Sequence, residues 1–498
     1  MFRKILIANR GEIAVRIIRA CKELGIKSVA IYSEADRTSL HTSMADESYL
    51  IGGAPSSESY LNKEKIITLA KEIKADAIHP GYGYFSENAD FIEAVEKAGI
   101  TFIGPSSDSV KKMGNKTAAR QLMKKNNVPI VPGTTEPVKS AEAGIKTANE
   151  VGYPILLKAA AGGGGKGMRK ISSDKEFVDA FEATKREAMK AFANDSIYIE
   201  KYIENPRHIE VQVIADKHGN YVHLFERECS IQRRHQKIIE EAPSSFVDIE
   251  IRNKITMAGI NAAKACNYFN AGTIEFLMDK NKDFYFLEMN TRLQVEHPVT
   301  ELISGIDLVK EQISIASGRK LSFKQEDLFI KGHAIESRIY AEDTENNFLP
   351  STGKLNEYEI PSGPGIRVDS GFSRGSDISI YYDPLIAKLV CWSPTRMEAI
   401  SRMIRALKEY RVSGVINNIP FLLLVFENKN FIDGNFDINF IEKEELVIKF
   451  QEEKTEGGNG LEEVVSAFSA ILKHQPNLRK PTGKKFENLN KWTDLRYE

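Results

Sequence analysis

The residues best suited to chemistry fall in three short stretches. The first is the glycine run Gly162–Gly165, followed by Lys166 and Gly167 and preceded by Lys158 in the apolar stretch YPILLKAAA. Glycines let backbone amides approach an anion closely, and a lysine adds charge. A Walker A loop requires G-x4-G-K-[ST]; Ala160 stands for its first glycine and Gly167 for its hydroxyl residue, so the match fails at both ends. The first strand–turn–helix carries Asn9-Arg10-Gly11-Glu12 instead of GxGxxG, which disfavours a dinucleotide site. What remains is a glycine-rich lid between two strands; taken alone, a glycine run is also a common hairpin tip. Lys158 in mid-strand is costly to bury unless it meets an anion.

The second stretch is Glu288-Met289-Asn290-Thr291-Arg292. Alternate residues of a strand share a face, so Glu288, Asn290 and Arg292 are expected to project together. A further carboxylate, Glu275, interrupts the apolar segment Gly272–Met278. Two carboxylates and an amide oxygen suit Mg²⁺ or Mn²⁺, hard ions that share their shell with phosphates. One such acid would read as a surface residue; two in neighbouring apolar strands favour a metal. The third stretch pairs Arg292–Glu301 (RLQVEHPVTE) with Glu226–Glu241 (ERECSIQRRHQKIIEE), which crowds Arg227, Arg233, Arg234, His235 and Lys237 together. A solvated charged face accounts for some of these. A catalyst that joins anions needs such cations, because a charge-assisted contact is about twice a neutral one. The nine histidines show no zinc spacing, and His297 before Pro298 reads as structural. No Ser-His-Asp arrangement is visible.

The elements that must position these residues begin with strand–helix alternation. Lys4–Ala8 reads as a buried strand, and Gly11–Leu24 as a helix with Ala14, Ile17, Ile18 and Cys21 on one face, stopped at Gly25. Ser28–Ser33, a helix capped by Asn62 and running to about Lys74, then Ala77–His79, Glu87–Gly99 and Thr101–Gly104 continue the pattern. That predicts a parallel sheet covered on both faces. One polar helix is expected over Ser109–Asn127, with a boundary at Pro129 and Pro132-Gly133. Tyr153–Ala160 and Gly167–Ile171 form a small β-rich lobe, followed by a helix over Glu176–Asn194 and the strand Ile197–Ile203. From Arg207 to about Glu442, extended segments at Ile209–Ala215, Val222–Arg227, Gly272–Met278 and Phe284–Met289 predict an antiparallel sheet with flanking helices. Residues 452–460 read as a linker, Leu461–His474 as an amphipathic helix and Gln475–Glu498 as a polar tail.

Composition bounds the class. With 498 residues, 42% hydrophobic and 28% charged, the chain is long enough for about three domains and too apolar to be disordered. Its net charge of −1 gives no global field for nucleic acid or an anionic membrane. Four cysteines without a CxxC pair indicate neither a disulfide framework nor a thiolate zinc site. No run approaches ~20 apolar residues, and the start MFRKILIANRGEIAVRIIRA carries charges through its apolar positions. A soluble, cytoplasmic protein is expected.

Taken together, YPILLKAAAGGGGKGM, ERECSIQRRHQKIIEEAP and EMNTRLQVEHPVTE resemble the biotin carboxylase branch of the ATP-grasp enzymes. The likeness runs from Met1 to about Ile441 and includes RKILIANRGEIAVRI, HPGYGYFSEN, IESRIYAED and YYDPLIAKL. It implies an α/β and α+β fold: a Rossmann-like N-terminal domain (1–114), a helical linker (115–130), an ATP-grasp lid domain (131–203) and a C-terminal mixed catalytic domain (204–445), before the linker, helix and tail of 446–498. It implies that Mg-ATP and bicarbonate form carboxyphosphate, which carboxylates N1′ of biotin on a separate carrier protein. By the same resemblance Lys116 and Lys158 bind ATP phosphates under a lid of Gly163, Gly164, Gly165, Lys166 and Gly167. Glu200, Lys201, Tyr202 and Ile203 form the hinge that reads adenine, with His208, Gln232 and His235 lining the nucleotide site. Glu275, Glu288 and Asn290 hold the metal. Lys237, Arg292, Gln294 and Val295 hold bicarbonate, Glu296 is the general base, Arg338 faces the biotin ureido oxygen, and Tyr82 borders biotin. Tyr84-Phe85 and Thr344 depart from the commoner family residues without touching a motif role.

Biotin itself is attached elsewhere on this reading. Ala188-Met189-Lys190 begins like a carrier's Ala-Met-Lys-Met hairpin but continues with Ala191 inside a helical pattern. The carrier protein and the carboxyltransferase subunit of the system are therefore expected on other chains, and a homodimer is expected by family resemblance. The apolar stripe of Leu461–His474 either docks on such a partner or packs back on its own chain. YYDPLIAKL leans toward acyl-CoA carboxylases over pyruvate carboxylases. The competing readings are another acyl-phosphate ligase, such as a carbamoyl phosphate synthetase half, which lacks the HPVTE continuation, and a catalytically silent nucleotide-binding subunit, which would not need Lys237, Arg292, Glu296 and Arg338 together.

Overall fold

Alternation of buried strands and amphipathic helices builds the first layer. In this computed structural model, which describes residues 1–134, 136–159, 168–192, 194–234 and 236–452, the chain divides into units Met1–Leu446 and Val447–Glu498. In the second unit, residues 447–452 are helical; the sequence readings for 453–498 lie outside the described residues, as do Gly163, Gly164, Gly165, Lys166, Gly167 and His235.

In the first unit, β1 (Lys4–Ile7), α1 (Gly11–Glu23), β2 (Lys27–Ser33), α2 (Leu40–Met44), β3 (Glu47–Gly52), α3 (Lys63–Glu72), β4 (Ala77–His79), α4 (Ala89–Lys97) and β5 (Thr101–Phe102) follow in order. The strands form a parallel sheet in the order β3-β2-β1-β4-β5. Ala14, Ile17, Ile18 and Cys21 of α1 are fully buried, as their spacing predicts. Side chains of Asn62 and Asn88 accept from the backbone N–H of Lys65 and Phe91, capping α3 and α4. Strand β3, whose residues alternate in exposure, was not among the predicted strands.

The single helix predicted over Ser109–Asn127 is two, α5 (Ser107–Gly114) and α6 (Lys116–Lys125). Asn115 between them is extended at φ −89° and ψ 101°, and its side chain caps the Ala118 N–H. An asparagine that can bond the next turn competes with helix continuation, and Gly114 lowers the cost of the break. Then come α7 (Ala141–Val151), β6 (Ile155–Ala159), β7 (Met168–Ile171), α8 (Asp174–Phe192) and β8 (Ile197–Lys201), with an antiparallel sheet ordered β7-β6-β8. Lys190 lies exposed on α8, a helix-surface lysine as read.

The larger sheet is antiparallel and eight-stranded. It runs β13 (Phe284–Asn290), β12 (Asn270–Met278), β9 (Arg207–Ala215), β10 (Tyr221–Arg233), β11 (Gln236–Ala242), β14 (His333–Tyr340), then strands Leu385–Ser393 and Ile366–Ser370. Strand β10 extends to Arg233, well past the predicted end at Arg227. Its charged half pairs β11 as a hairpin, Gln232 opposite Lys237 and Arg233 opposite Gln236, so cross-strand pairing overrides the missing apolar alternation. One face of β9 packs Ile209, Val211 and Val213 against α9 (Ile249–Ala265). The other face presents His208, Glu210 and Gln212 toward the turn that leads into α10 (His297–Ser304).

Candidate active site

A β-strand places every second side chain on one face. On β9 that rule puts His208, Glu210 and Gln212 together, all buried. The sheet register sets Glu210 opposite Glu275 of β12, and Glu275 opposite Glu288 of β13. Lys237 enters from β11, Arg338 from β14, and Arg227 from β10. The turn after β13 adds Gln294 and Glu296.

Lys237 lies at the centre. Its ammonium donates to Glu296 Oε1 at 2.8 Å, to Glu275 Oε1 at 3.1 Å, and to Glu210. Burial alone would lower its pKa; the charges of Glu210, Glu275 and Glu296 raise it well above the ordinary lysine value. The opposite holds for the acids. Burial would raise Glu210 and Glu275, but Lys237 outweighs it, holding Glu210 at about 2 and Glu275 well below the usual range. Glu296 is shifted down in the same way, against burial, by Lys237 and Arg338. The carboxylate of Glu296 is thus ionised and shared between two cations, with Arg338 Nη2 at 3.0 Å from its second oxygen. Arg338 also donates through Nε to Glu240 at 2.7 Å.

His208 Nε2 lies 3.0 Å from Glu275 and 3.1 Å from Glu210. Burial disfavours its charged form, but Glu275 prevails and lifts the imidazole to about 9. Gln232 Nε2 lies 3.1 Å from His208 Nδ1. Arg227, fully buried, donates to Gln212 at 2.7 Å, Thr300 at 3.0 Å, Glu210 at 3.1 Å, and to Gln294. Its burial removes it from the solvated face expected for some of this segment, whereas Arg234 is exposed as that reading allows. Arg233 is half of an ion pair with Glu342 at 2.9 Å.

The metal-type donors form one edge of the cluster. Asn290 Nδ2 and Gln294 Nε2 donate to Glu275 Oε1 at 2.7 and 2.8 Å. Glu288 is partly exposed, its carboxyl raised by burial and then by the neighbouring Glu275 charge, and Lys116 Nζ stands 3.9 Å away. Two register-paired carboxylates beside an amide oxygen are a hard-oxygen set that fits magnesium, and a divalent ion there would relieve the crowding of Glu288 against Glu275. His208, Glu210 and Glu275 also converge, but the Lys237 ammonium already neutralises that triad.

Other predicted residues sit around this centre. Arg292 donates to Asn290 Oδ1 at 3.0 Å and to Glu87 at 2.8 Å, so it lies at the magnesium-type edge and not against Lys237. Val295 offers its carbonyl to Lys388 at 2.8 Å. In the smaller sheet, Glu200 accepts from Arg120 at 2.5 Å and from Lys158, so the anion that Lys158 meets here is a carboxylate. Lys201 bonds the carbonyls of Gly152 and Tyr153 at 2.7 and 3.0 Å. With Tyr202, Ile203, Met278 and Phe436 it lines a cavity of about 580 Å³. Tyr82 is half-buried, with the Lys388 ammonium 5.8 Å from its ring centre.

Glu210, Arg227, Glu240 and Lys388 were not among the predicted site residues. Glu210 carried a signal, the alternation His208-Glu210-Gln212 in an otherwise apolar strand, and Lys388 another, a lone lysine in LIAKLVCW; Arg227 and Glu240 are recognisable only from their partners. Cys229 is buried, and burial, then Glu210, pushes its thiol well above the ordinary value, so it is no nucleophile.

Known proteins resemble this chain over most of its length. The family model described as "Biotin carboxylase, N-terminal domain" matches residues 1–110, "Carbamoyl-phosphate synthase L chain, ATP binding domain" matches 115–324, and "Biotin carboxylase C-terminal domain" matches 336–443. Biotin carboxylase 1 of Bacillus subtilis (strain 168) is 53% identical over 443 residues, 89% of this chain and 98% of that protein. A pyruvate carboxylase subunit of Methanothermobacter thermautotrophicus is 52% identical over 443 residues, 89% of this chain and 90% of that protein. The solved biotin carboxylase domain dimer of Hydrogenobacter thermophilus 2-oxoglutarate carboxylase, in complex with MgADP, ADP and bicarbonate, aligns with a TM-score of 0.83 and 50% identity, covering 90% of this chain and 98% of that one. Similarity at this level, continuous through the sheets that build the carboxylate–lysine centre, means that the chain belongs to the biotin carboxylase family.

Proposed function

We propose that this ATP-dependent carboxylase activates bicarbonate at the Lys237–Glu296–Arg338 centre and transfers the carboxyl group to biotin on a separate carrier protein. One observation carries the reading: Glu296 is held ionised between Lys237 at 2.8 Å and Arg338 at 3.0 Å, beside the register-paired Glu275 and Glu288. Bicarbonate is a weak nucleophile. Entering beside Lys237, Gln294, Val295 and Arg292, it adds a negative charge that raises the proton affinity of Glu296, which then accepts the bicarbonate proton as an oxygen attacks the γ-phosphorus and ADP leaves. Lys116 and Lys158 hold the phosphates, Lys158 exchanging its contact with Glu200 for one with the nucleotide. Lys201, Tyr202 and Ile203 take the adenine, His208 and Gln232 support the nucleotide side, and the lid 163–167 with His235 completes that site. Glu275, Glu288 and Asn290 would hold magnesium, which would supply neutralisation of phosphate charge there. The carboxyl group of carboxyphosphate then passes to biotin N1′, phosphate leaving with the N1′ proton, while Arg338 stabilises the charge on the ureido oxygen and Tyr82 borders the ring.

The domain division at 114, 130, 203 and 445 follows from this assignment. On the same reading the chain is the biotin carboxylase subunit of a multi-subunit acyl-CoA carboxylase. The relatives above serve pyruvate and 2-oxoglutarate carboxylases as well, so the lean to acyl-CoA rests on YYDPLIAKL. A carboxyltransferase subunit is then a further partner. A homodimer is supported by the dimeric Hydrogenobacter domain. A cytoplasmic setting agrees with the four free, buried cysteines and with the lack, among the described residues, of a helix long and apolar enough to cross a membrane. The test is ADP release with the purified chain. It should require bicarbonate and rise with free biotin; ATP cleavage indifferent to bicarbonate would reject the reading.

A further inference from the structure

Lys388 is a lysine with no exposed side-chain surface, in mid-strand of Leu385–Ser393. Register places it opposite Arg338 on one side and Asp369 on the other. Its ammonium donates to the Val295 carbonyl at 2.8 Å, faces Glu12 Oε1 of α1 at 3.2 Å, and lies 3.9 Å from Asp369. A sheet core does not need a cation at this point. A buried ammonium is costly, and apolar residues of similar volume commonly serve stability as well or better.

We infer that Lys388 is a positioning residue for the carboxylation reaction: it aims the Val295–Glu296 peptide, and hence the Glu296 carboxylate, and it ties that peptide to the N-terminal layer through Glu12. The inference rests on the reading of Glu296 as base. A peptide unit is planar, so a cation fixed on the Val295 carbonyl also fixes the direction of the Glu296 N–H and Cα. Glu296 precedes the first turn of α10 and carries φ −81°, ψ 11°. From that anchor its two oxygens reach Lys237 and Arg338. Without the ammonium, the carbonyl loses its charged donor and the turn is free to rotate. Glu12 completes the device: no other donor satisfies its buried carboxyl group, and its Oε1 faces the Lys388 ammonium at 3.2 Å. The approach of α1 is close as well, since a Cβ at Gly371, just past Asp369, would come within 2.6 Å of the Glu12 backbone nitrogen.

The experiment is steady-state kinetics of Lys388→Met and Glu12→Ala in the full chain, with ATP, bicarbonate and free biotin, beside the parent. A displacement of the base by about 1 Å costs roughly 10²-fold in rate. Lys388→Met is therefore expected to lose on the order of 10²-fold in kcat while the KM for ATP stays within about two-fold, a split that loss of structure would not give. Glu12→Ala, which loosens the ammonium without removing it, is expected to lose about three- to ten-fold in kcat with the same unchanged KM. A Lys388→Met enzyme that binds ATP normally and turns over within two-fold of the parent overturns the inference. If that variant does not fold, a folded Glu12→Ala enzyme with parental kcat overturns it instead. A parent enzyme without bicarbonate-dependent ADP release would reject the reading of Glu296 itself, which separates the two failures.

Discussion

Glu296 and Arg338 touch each other, yet they serve different steps of the proposed reaction. Glu296→Gln keeps the shape of the site and cannot take a proton; it is expected to retain ATP affinity and lose ~10²–10⁴-fold in turnover, the usual cost of a lost general base. Initial-rate measurements over an ATP series check this, and turnover within a few-fold of the parent would remove Glu296 from the role. Arg338→Ala removes the partner assigned to biotin. Carboxylation of free biotin should fall by on the order of 10²-fold or more, as for a lost oxyanion donor. Bicarbonate-dependent ATP cleavage without biotin should fall less, because Lys237 still holds Glu296 at 2.8 Å. Equal losses in both assays would place Arg338 in the first step or in the fold. These roles were open to sequence reasoning because charged residues stand out in apolar strands: Glu275 in GTIEFLM and Glu288 in FYFLEMN are visible by contrast alone. Lys388 in LIAKLVCW is visible in the same way, though nothing local tells what it serves. Glu240 is not: the segment ERECSIQRRHQKIIEE is charged throughout, and only the sheet register tells which charge turns inward.

Elements do what the residues cannot do alone: they give the site a rigid floor. Strand β9 carries His208 and Glu210 on one face and Val211 on the other, where α9 packs so closely that a Cβ on Gly259 would meet Val211 Cγ1 at 2.7 Å. Gly259→Ala is expected to destabilise the chain by about 1–3 kcal/mol, the cost of forcing a methyl into a packed core. A lower denaturant midpoint with near-parental kcat at low temperature is the expected result; an unchanged midpoint would show that α9 can shift. The parallel sheet and most helices of the first layer were legible because 2.0 and 3.6 periods are local signals. The end of β10 and the break at Asn115 were not. The first depends on pairing with β11, a partner that local pattern does not reveal, and the second on a side-chain cap that competes with a helix of acceptable propensity.

At the scale of the whole molecule, a cation–ring contact joins the first sheet to the loop between strands Ile366–Ser370 and Leu385–Ser393 of the larger one. Arg10 grips Asp36 through Nε at 2.6 Å and Nη2 at 2.7 Å, and its guanidinium lies 4.0 Å from the ring centre of Tyr382. Burial would raise the Asp36 carboxyl, but Arg10 overrides it and holds the group at about 2, against 3.8 unperturbed. A carboxyl lowered on folding stabilises above its unfolded pKa, and that contribution is lost as pH falls through the folded value. The window here is from about pH 4 to about pH 2, and the contribution is on the order of 2 kcal/mol. Asp36→Asn should therefore be less stable than the parent at neutral pH, with the gap in urea midpoints narrowing below about pH 4; a gap that persists unchanged into acid would mean that charge is not what Asp36 supplies. The proposed reaction turns on one chemical event, attack by a bicarbonate oxygen on ATP. Uniformly ¹⁸O-labelled bicarbonate, given with ATP and free biotin, tests it directly through the mass of the phosphate released. The expected product carries one oxygen from bicarbonate. Phosphate that takes its new oxygen from water instead would contradict the assignment of the Lys237–Glu296–Arg338 centre.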